Sequence, residues 1–327
     1  MALGQVLKIC LILGANMSKV VIDQAAVSKE TMSVEASFAP SGKPSNKPSL
    51  EAFIDLEQYP IHDLTSPKRH ALVERCKEEL DRLGCCHIPD MIRPESIERM
   101  RQEVERLRDQ IYRSQNSHNP YMTKENTALP EAHPARFFEK RSSGFVNSDI
   151  LEESSDLRAI YDHDVVVQFV SDCLGVGPIY RWADPLGRNP YSVMDEGDYF
   201  PWHFDGNEFT VSILVQEPIK GGEFQYYPDL RSPEEENLEE VSKVLGGDLS
   251  KVHSLVLRPG DMQIFKGRFS MHRVTRVEGG QSRYIALPTY MRDPDTVNRP
   301  EHARQFYGRA LPIHFQREAN RPDDLLD

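Results

Sequence analysis

The chain has 327 residues, with 39 Lys and Arg against 51 Asp and Glu and a formal net charge of −12. That acidity argues against a nucleic-acid or anionic-membrane binder, which needs a basic footprint to neutralise phosphates. Collagen, coiled-coil, disulfide-scaffold and polytopic membrane classes are excluded by composition, and the length allows one large domain or two.

Near the start, the apolar run Ile9-Cys10-Leu11-Ile12-Leu13 follows Lys8. It is too short to span a bilayer, and nothing basic precedes Lys8 as a secretory signal would require; a weak signal and a start at Met17 are the alternatives. The expectation is a cytoplasmic protein. Its cysteines (Cys10, Cys76, Cys85, Cys86, Cys173) show no Cys-x-x-Cys spacing and read as reduced thiols. Residues 18–48 are rich in Ser, Ala, Lys and Pro, so 1–48 is expected to be a flexible lead-in.

Residues 49–175 read as a helical support region. Leu72, Val73, Cys76, Leu80 and Leu83 recur at helical spacing after Pro67, and Gly84 supplies a stop. Cys85 to Pro89 reads as a short strand. Arg93-Pro94-Glu95-Ser96 opens a second helix with Ile97, Met100, Val104, Leu107 and Ile111 along one stripe. The polar stretch from Ser114 to Pro134 reads as loop, and a third helix is expected between Val165 and Leu174.

From Ile179 onward short β-type runs alternate with Gly and Pro turns. They are Tyr191 to Met194, Thr210 to Gln216, Glu223 to Tyr227, His253 to Leu257, Met262 to Phe265, His272 to Val277 and Arg283 to Tyr290. Such a series predicts an antiparallel sandwich, jelly roll or barrel. The acidic stretch Ser232 to Leu249 interrupts it and reads as a solvated helical insert. The β core is therefore expected over 176–300, with 301–327 as a carboxy-terminal tail.

The chemistry concentrates in this β part. His203 and Asp205 are two apart in an extended segment, so both point to one face and can hold one metal ion. Alone that is a common coincidence. Further on, His272 opens another strand and Arg283 begins the next. Two His and one carboxylate form the facial triad of non-haem Fe(II) oxygenases, which leaves positions free for a 2-oxo acid and O₂. An arginine one strand later can grip the far carboxylate of 2-oxoglutarate bidentately.

The chain resembles the Fe(II)/2-oxoglutarate-dependent dioxygenases, most closely the branch of free amino-acid hydroxylases and radical halogenases. The resemblance is carried by Trp202-His203-Phe204-Asp205-Gly206-Asn207-Glu208-Phe209, by Gly221-Gly222-Glu223-Phe224-Gln225-Tyr226-Tyr227-Pro228-Asp229-Leu230-Arg231, and by Gln263 to Arg268 leading into His272-Arg273-Val274-Thr275. It implies a double-stranded β-helix (jelly-roll) core with an amino-terminal helical part, in a mainly β chain. It also implies Fe(II) held by His203, Asp205 and His272, with 2-oxoglutarate and O₂ as cosubstrates and Arg283 on the distal carboxylate. Relatives often carry Ser two residues after that arginine. Here the residue is Ile285, so Tyr191 and Asn189 are the candidates for a second contact to the cosubstrate. Arg141, Glu208 and Thr289 are candidate substrate contacts.

Halogenases of this branch replace the carboxylate ligand with Gly, and this chain keeps Asp205. The expected reaction is therefore hydroxylation, desaturation or ring closure at an unactivated C–H of a small substrate. A free amino acid or a metabolite derived from one is expected, with no nucleic-acid or membrane partner. Two other readings are a catalytically silent jelly-roll sensor and a cupin-type enzyme that does not use 2-oxoglutarate. The intact set of four residues disfavours the first, and Arg283 disfavours the second.

Overall fold

The computed structural model describes residues 49–316 and 325–326, which fall in one compact unit beginning at Asn46. The expected lead-in and its apolar run lie outside the described residues. Helix α1 (Pro67–Leu83) begins where Ser66 accepts the Arg69 N–H and ends at Gly84, whose φ of 63° is the left-handed turn that favours glycine. Strand β1 (Cys85–Ile88) follows, then α2 (Pro94–Arg106), β2 (Tyr112–His118) and β3 (Glu139–Val146). Two helices, α3 (Asp156–Tyr161) and α4 (Asp164–Leu174), complete the amino-terminal part.

The hairpin of β2 and β3 corrects two expectations. Residues 114–118 are strand rather than loop, and the support region contributes an edge of the main sheet as well as helices. The pattern misled because the inward face of β2 carries Ser114, Asn116 and His118. These polar residues line a site rather than an apolar core, so hydrophobic alternation is missing.

The β core then runs in chain order through β4 (Tyr180–Arg181), β5 (Tyr191–Met194), β6 (Phe200–His203), β7 (Phe209–Gln216), β8 (Lys220–Gly221) and β9 (Phe224–Tyr227). After helix α5 (Leu238–Leu245) come β10 (His253–Leu255), β11 (Met262–Phe265), β12 (Met271–Val274), β13 (Val277–Glu278), β14 (Arg283–Ala286) and β15 (Thr289–Met291). A nine-stranded antiparallel sheet has the order β1-β11-β7-β14-β5-β3-β2, with β15 joined to β7 and β4. A four-stranded sheet has the order β10-β9-β12-β6. This is the jelly-roll core expected of the chain.

Strand β7 is buried almost throughout because each of its faces is covered. Val211, Ile213 and Val215 belong to one core cluster with residues of helices α1 to α4 and with Tyr191, Val193, Tyr284 and Ala286 from neighbouring strands, and α2 packs directly on β7. Leu214 packs on the other face with Leu257 and Ile285. The helices thus seal the outer face of the large sheet and leave its inner face to the site.

Two further expectations change. Helix α5 is only partly solvated. Glu239 and Glu240 pair with Lys243 on its surface, while Val241 and Val244 pack under it with Trp202, Phe204 and Met271. The described part of 301–327 is more than a tail: it holds α6 (Pro300–Tyr307) and α7 (Pro312–Gln316), and Ala303, Tyr307 and His314 are buried. The Gln305 carbonyl accepts the Ser114 hydroxyl at 2.8 Å, so α6 is docked on the β2–β3 hairpin.

Candidate metal centre and cosubstrate site

The triad candidates come together through strand register. His203 ends β6 and pairs directly with His272 on β12. Directly opposite residues of an antiparallel pair share a face. The His203 ring contacts the carbonyl of Pro201 through Nδ1 at 2.8 Å, and the His272 ring contacts Ser270 O through Nδ1 at 2.9 Å. A carbonyl only accepts, so each Nδ1 carries the proton and each Nε2 presents a lone pair. Asp205 follows β6 and is anchored by its N–H on Gly267 O at 3.0 Å. Its Oδ1 lies 3.6 Å from His203 Nε2 and 3.4 Å from His272 Nε2.

Three ligand atoms within 4.8 Å of one another, two imidazole nitrogens and a carboxylate oxygen, match the donor set of a non-haem iron(II) site. The electrostatics agree. Burial, reinforced by His272, pulls the His203 pKa down to about 4, which leaves it neutral and free to ligate. Burial pushes the Asp205 carboxyl up, but His272 and His203 outweigh it and hold the group well below its usual range. Phe200, Phe224 and Phe265 pack around the two imidazoles.

Arg283 opens β14 opposite Met194 of β5, and the Met194 side chain is buried beside Phe200 and Val277. The arginine is 4 % exposed. Burial alone lowers its pKa, to about 10, with no carboxylate acting on it. A buried cation without an acidic partner is costly unless an anion joins it. Gly222 makes room for its stem, since a Cβ there would lie 3.0 Å from Arg283 Cδ.

The other candidates separate sharply. Tyr191 stands opposite Ala286 and shares the helix-side face, where its hydroxyl bonds Glu103 at 2.9 Å. Strand alternation turns it away from Arg283, so it is no cosubstrate contact. Asn189 has its N–H on Ser148 and a buried Oδ1 without a partner, and like Arg141 it does not line the chamber at His203 and Asp205. Ile285 packs with Leu214 and Leu257. Glu208 is occupied by Arg292, whose Nε and Nη2 approach its Oε1 at 3.0 and 2.5 Å. The Thr289 hydroxyl turns back to the Leu287 carbonyl at 3.3 Å. Neither Glu208 nor Thr289 offers a free group to a substrate.

Arg141 is different. It is 1 % exposed, bonded through Nη2 to Ser114, and its guanidinium carbon lies 4.0 Å from the Phe306 ring centroid and 5.0 Å from that of Phe200. Nε and Nη1 have no partner. Burial lowers its pKa to about 10.

Sequence reasoning missed the groups around it. His118 places Nδ1 on the Asn119 carbonyl at 2.9 Å, which leaves Nε2 a buried acceptor without a partner. Its ring lies edge-on to His203, with centroids 6.1 Å apart. Trp182 has an unpartnered Nε1 and lines a chamber of about 80 Å³ with His203, Asp205, His302, Phe306 and Tyr307. Met122, Phe204, Gly206 and His302 also line an outer cleft of about 710 Å³. The alternation Ser114, Asn116, His118 was the available signal for His118. Nothing local marked α6.

The halogenase D family profile matches residues 68–306. The chain belongs to the halogenase D family. It is thus a non-haem Fe(II)- and 2-oxoglutarate-dependent oxygenase, an enzyme whose cosubstrates are 2-oxoglutarate and O₂. No curated protein matches its sequence. Among solved structures, a 2-oxoglutarate–Fe(II) oxygenase family protein of Burkholderia pseudomallei aligns at 12% identity and a TM-score of 0.44, over 68% of this chain and 92% of that one. A Pseudomonas putida prolyl-4-hydroxylase aligns at 11% and 0.44, over 68% and 99%. A Trichoplax adhaerens prolyl hydroxylase, in complex with a peptide fragment of hypoxia inducible factor, aligns at 16% and 0.45, over 68% and 90%.

Proposed function

We propose that this family member hydroxylates, or oxidatively cyclises or desaturates, an unactivated C–H of a free amino acid or a small metabolite derived from one. In this reading His203, Asp205 and His272 bind iron(II), and Arg283 holds the distal carboxylate of 2-oxoglutarate. When bound, iron with 2-oxoglutarate and O₂ supplies an oxidant able to remove such a hydrogen. The observation that carries the reading is the retained Asp205 carboxylate, with Oδ1 facing both imidazoles. It fills the ligand position that a halide needs, which favours oxygenation or its variants over halogen transfer despite the family's name.

The substrate class rests on the unpartnered groups. Arg141 offers two free donor atoms and a positive charge, which suit a carboxylate. His118 Nε2 asks for a donor, which a substrate ammonium or hydroxyl supplies. A zwitterionic amino acid satisfies both, and leaving them unmet would cost about 1–3 kcal/mol each. The buried free thiols of Cys76, Cys85, Cys86 and Cys173 fit a reducing, cytoplasmic setting. Among the described residues no helix is long and apolar enough to cross a membrane.

The test is anaerobic. Fe(II) and then 2-oxoglutarate are added to the purified chain, and the weak visible charge-transfer band of a chelated 2-oxo acid is sought. A band that is lost in His272→Ala and in Arg283→Ala supports the reading, and succinate release then screens amino acids. Iron binding without a band, at any 2-oxoglutarate concentration, refutes the cosubstrate assignment.

A further inference from the structure

We infer that Gly267 is a positioning residue for the iron site: the side chain absent at 267 is the space in which the Asp205 carboxylate lies. The inference rests on the triad reading proposed above. Gly267 sits in the turn between β11 and β12, the same turn that leads to His272. A Cβ built on it would lie 2.7 Å from Asp205 Cγ and 3.1 Å from Asp205 Cβ, and nearer still to Oδ2. Carbon atoms of folded proteins do not approach so closely, so either the carboxylate or the turn must move.

Backbone torsion does not explain this glycine. Among the described residues eleven other glycines have positive φ, and Gly267 is not among them. Its conformation is open to any L-residue, so only space is at stake. The obstacle is also not a free side-chain end, because the Asp205 N–H is fixed on the Gly267 carbonyl at 3.0 Å. Swinging the carboxylate away from a new methyl group would turn Oδ1 away from the two Nε2 atoms.

A second contact fixes which oxygen faces the histidines. Asn207 Nδ2 donates to Thr210 Oγ1 at 2.6 Å, which leaves the Thr210 hydroxyl proton for Asp205 Oδ2, 3.4 Å away. Oδ2 is thereby drawn toward Thr210 and Gly267, while Oδ1 stays with His203 and His272. A carboxylate held this way would offer a metal one oxygen, Oδ1. That keeps coordination positions open for the 2-oxo acid and O₂, as the facial triad requires.

The test is anaerobic Fe(II) titration of the full chain, paired with thermal melting of the iron-free protein. Gly267→Ala is expected to raise the iron dissociation constant roughly 10- to 100-fold, the range seen when groups supporting metal ligands are lost. In an Asp205→Ala background, where the space is already empty, the same substitution is expected to change iron affinity little. Thr210→Val is expected to weaken iron binding by a smaller factor, and Thr210→Ser to retain it. Wild-type iron affinity in Gly267→Ala would overturn the inference. So would an equal fall in melting temperature and iron affinity in both backgrounds, which marks a general packing role. Unchanged affinity in Asp205→Ala alone would instead remove the triad reading on which the inference rests. The Thr210 pair keeps the inference exposed if Gly267→Ala does not fold, because equal affinities in Thr210→Val and Thr210→Ser would also overturn it.

Discussion

His203 and His272 face each other across the ladder between β6 and β12, with ring centroids 4.0 Å apart and each Nδ1 on the carbonyl two residues before it. One local rule, applied twice, orients both Nε2 atoms toward the same Asp205 oxygen. Strand register thus places the two histidines, while Asp205, just past β6, is held by the Gly267 carbonyl in the β11–β12 turn. The bulge between His272 and Val274 releases the ladder beyond the pair.

Asp205→Gly tests what the retained carboxylate does. Hydroxylation is expected to fall to background and iron affinity to weaken, because the chain loses one of the three atoms proposed to bind iron. With excess chloride the vacated position makes halogenated product the outcome to look for by mass spectrometry. Full hydroxylation in this variant would contradict the triad.

Arg283→Met tests the cosubstrate clamp. The 2-oxoglutarate requirement is expected to rise roughly 100-fold, since two charge-assisted hydrogen bonds are lost, with Fe(II) affinity nearly unchanged. The iron-free, cosubstrate-free protein is expected to melt no lower than wild type, because Arg283 is buried without an acidic partner and an apolar side chain avoids that desolvation cost. Titrating 2-oxoglutarate by the charge-transfer band and melting the free protein check both halves.

How far the sequence disclosed this site depended on what each residue packs against. The jelly-roll strands were legible because Gly and Pro turns bound apolar runs, and the triad because His203 and Asp205 sit two apart in an extended segment and His272 opens an expected run; strand β6, which carries His203, was not among the expected runs. Tyr191 was misplaced for want of register: the Arg283–Met194 pairing fixes which parity of β5 looks inward, and no local pattern encodes that pairing. The β2–β3 hairpin was read as loop because its inner face is polar for the site's sake. Helix α6 reached the site through tertiary docking on β2, which its own amphipathic sequence does not specify.

Arg141→Met tests the substrate clamp. The KM for the carboxylate-bearing substrate is expected to rise at least about tenfold, the cost of one charge-assisted hydrogen bond, while the 2-oxoglutarate requirement stays close to wild type. Arg141→Lys is expected to recover only part, because a point charge cannot reproduce the planar fork. Steady-state succinate release against each substrate separates the two requirements. Equal effects on both would reassign Arg141 to general support of the α6 interface, where the Gln305 carbonyl lies 3.5 Å from its Nη2.

The pH dependence of stability follows from two buried histidines. Burial, then His272, holds His203 at about 4, and burial, then His203, holds His118 at about 3, against an ordinary value of 6.5. Between those limits the unfolded chain binds more protons than the folded one, so stability rises with pH through the window and falls as acid is added. The iron-free protein is expected to lose melting temperature steadily from about pH 7 to about pH 4.5. The slope is expected to be shallower in His118→Phe, which removes one proton-binding difference and suits the neighbouring Phe200. Melting curves across that range decide it: identical slopes in the two proteins would mean that His118 titrates normally and is not held neutral beside the metal centre.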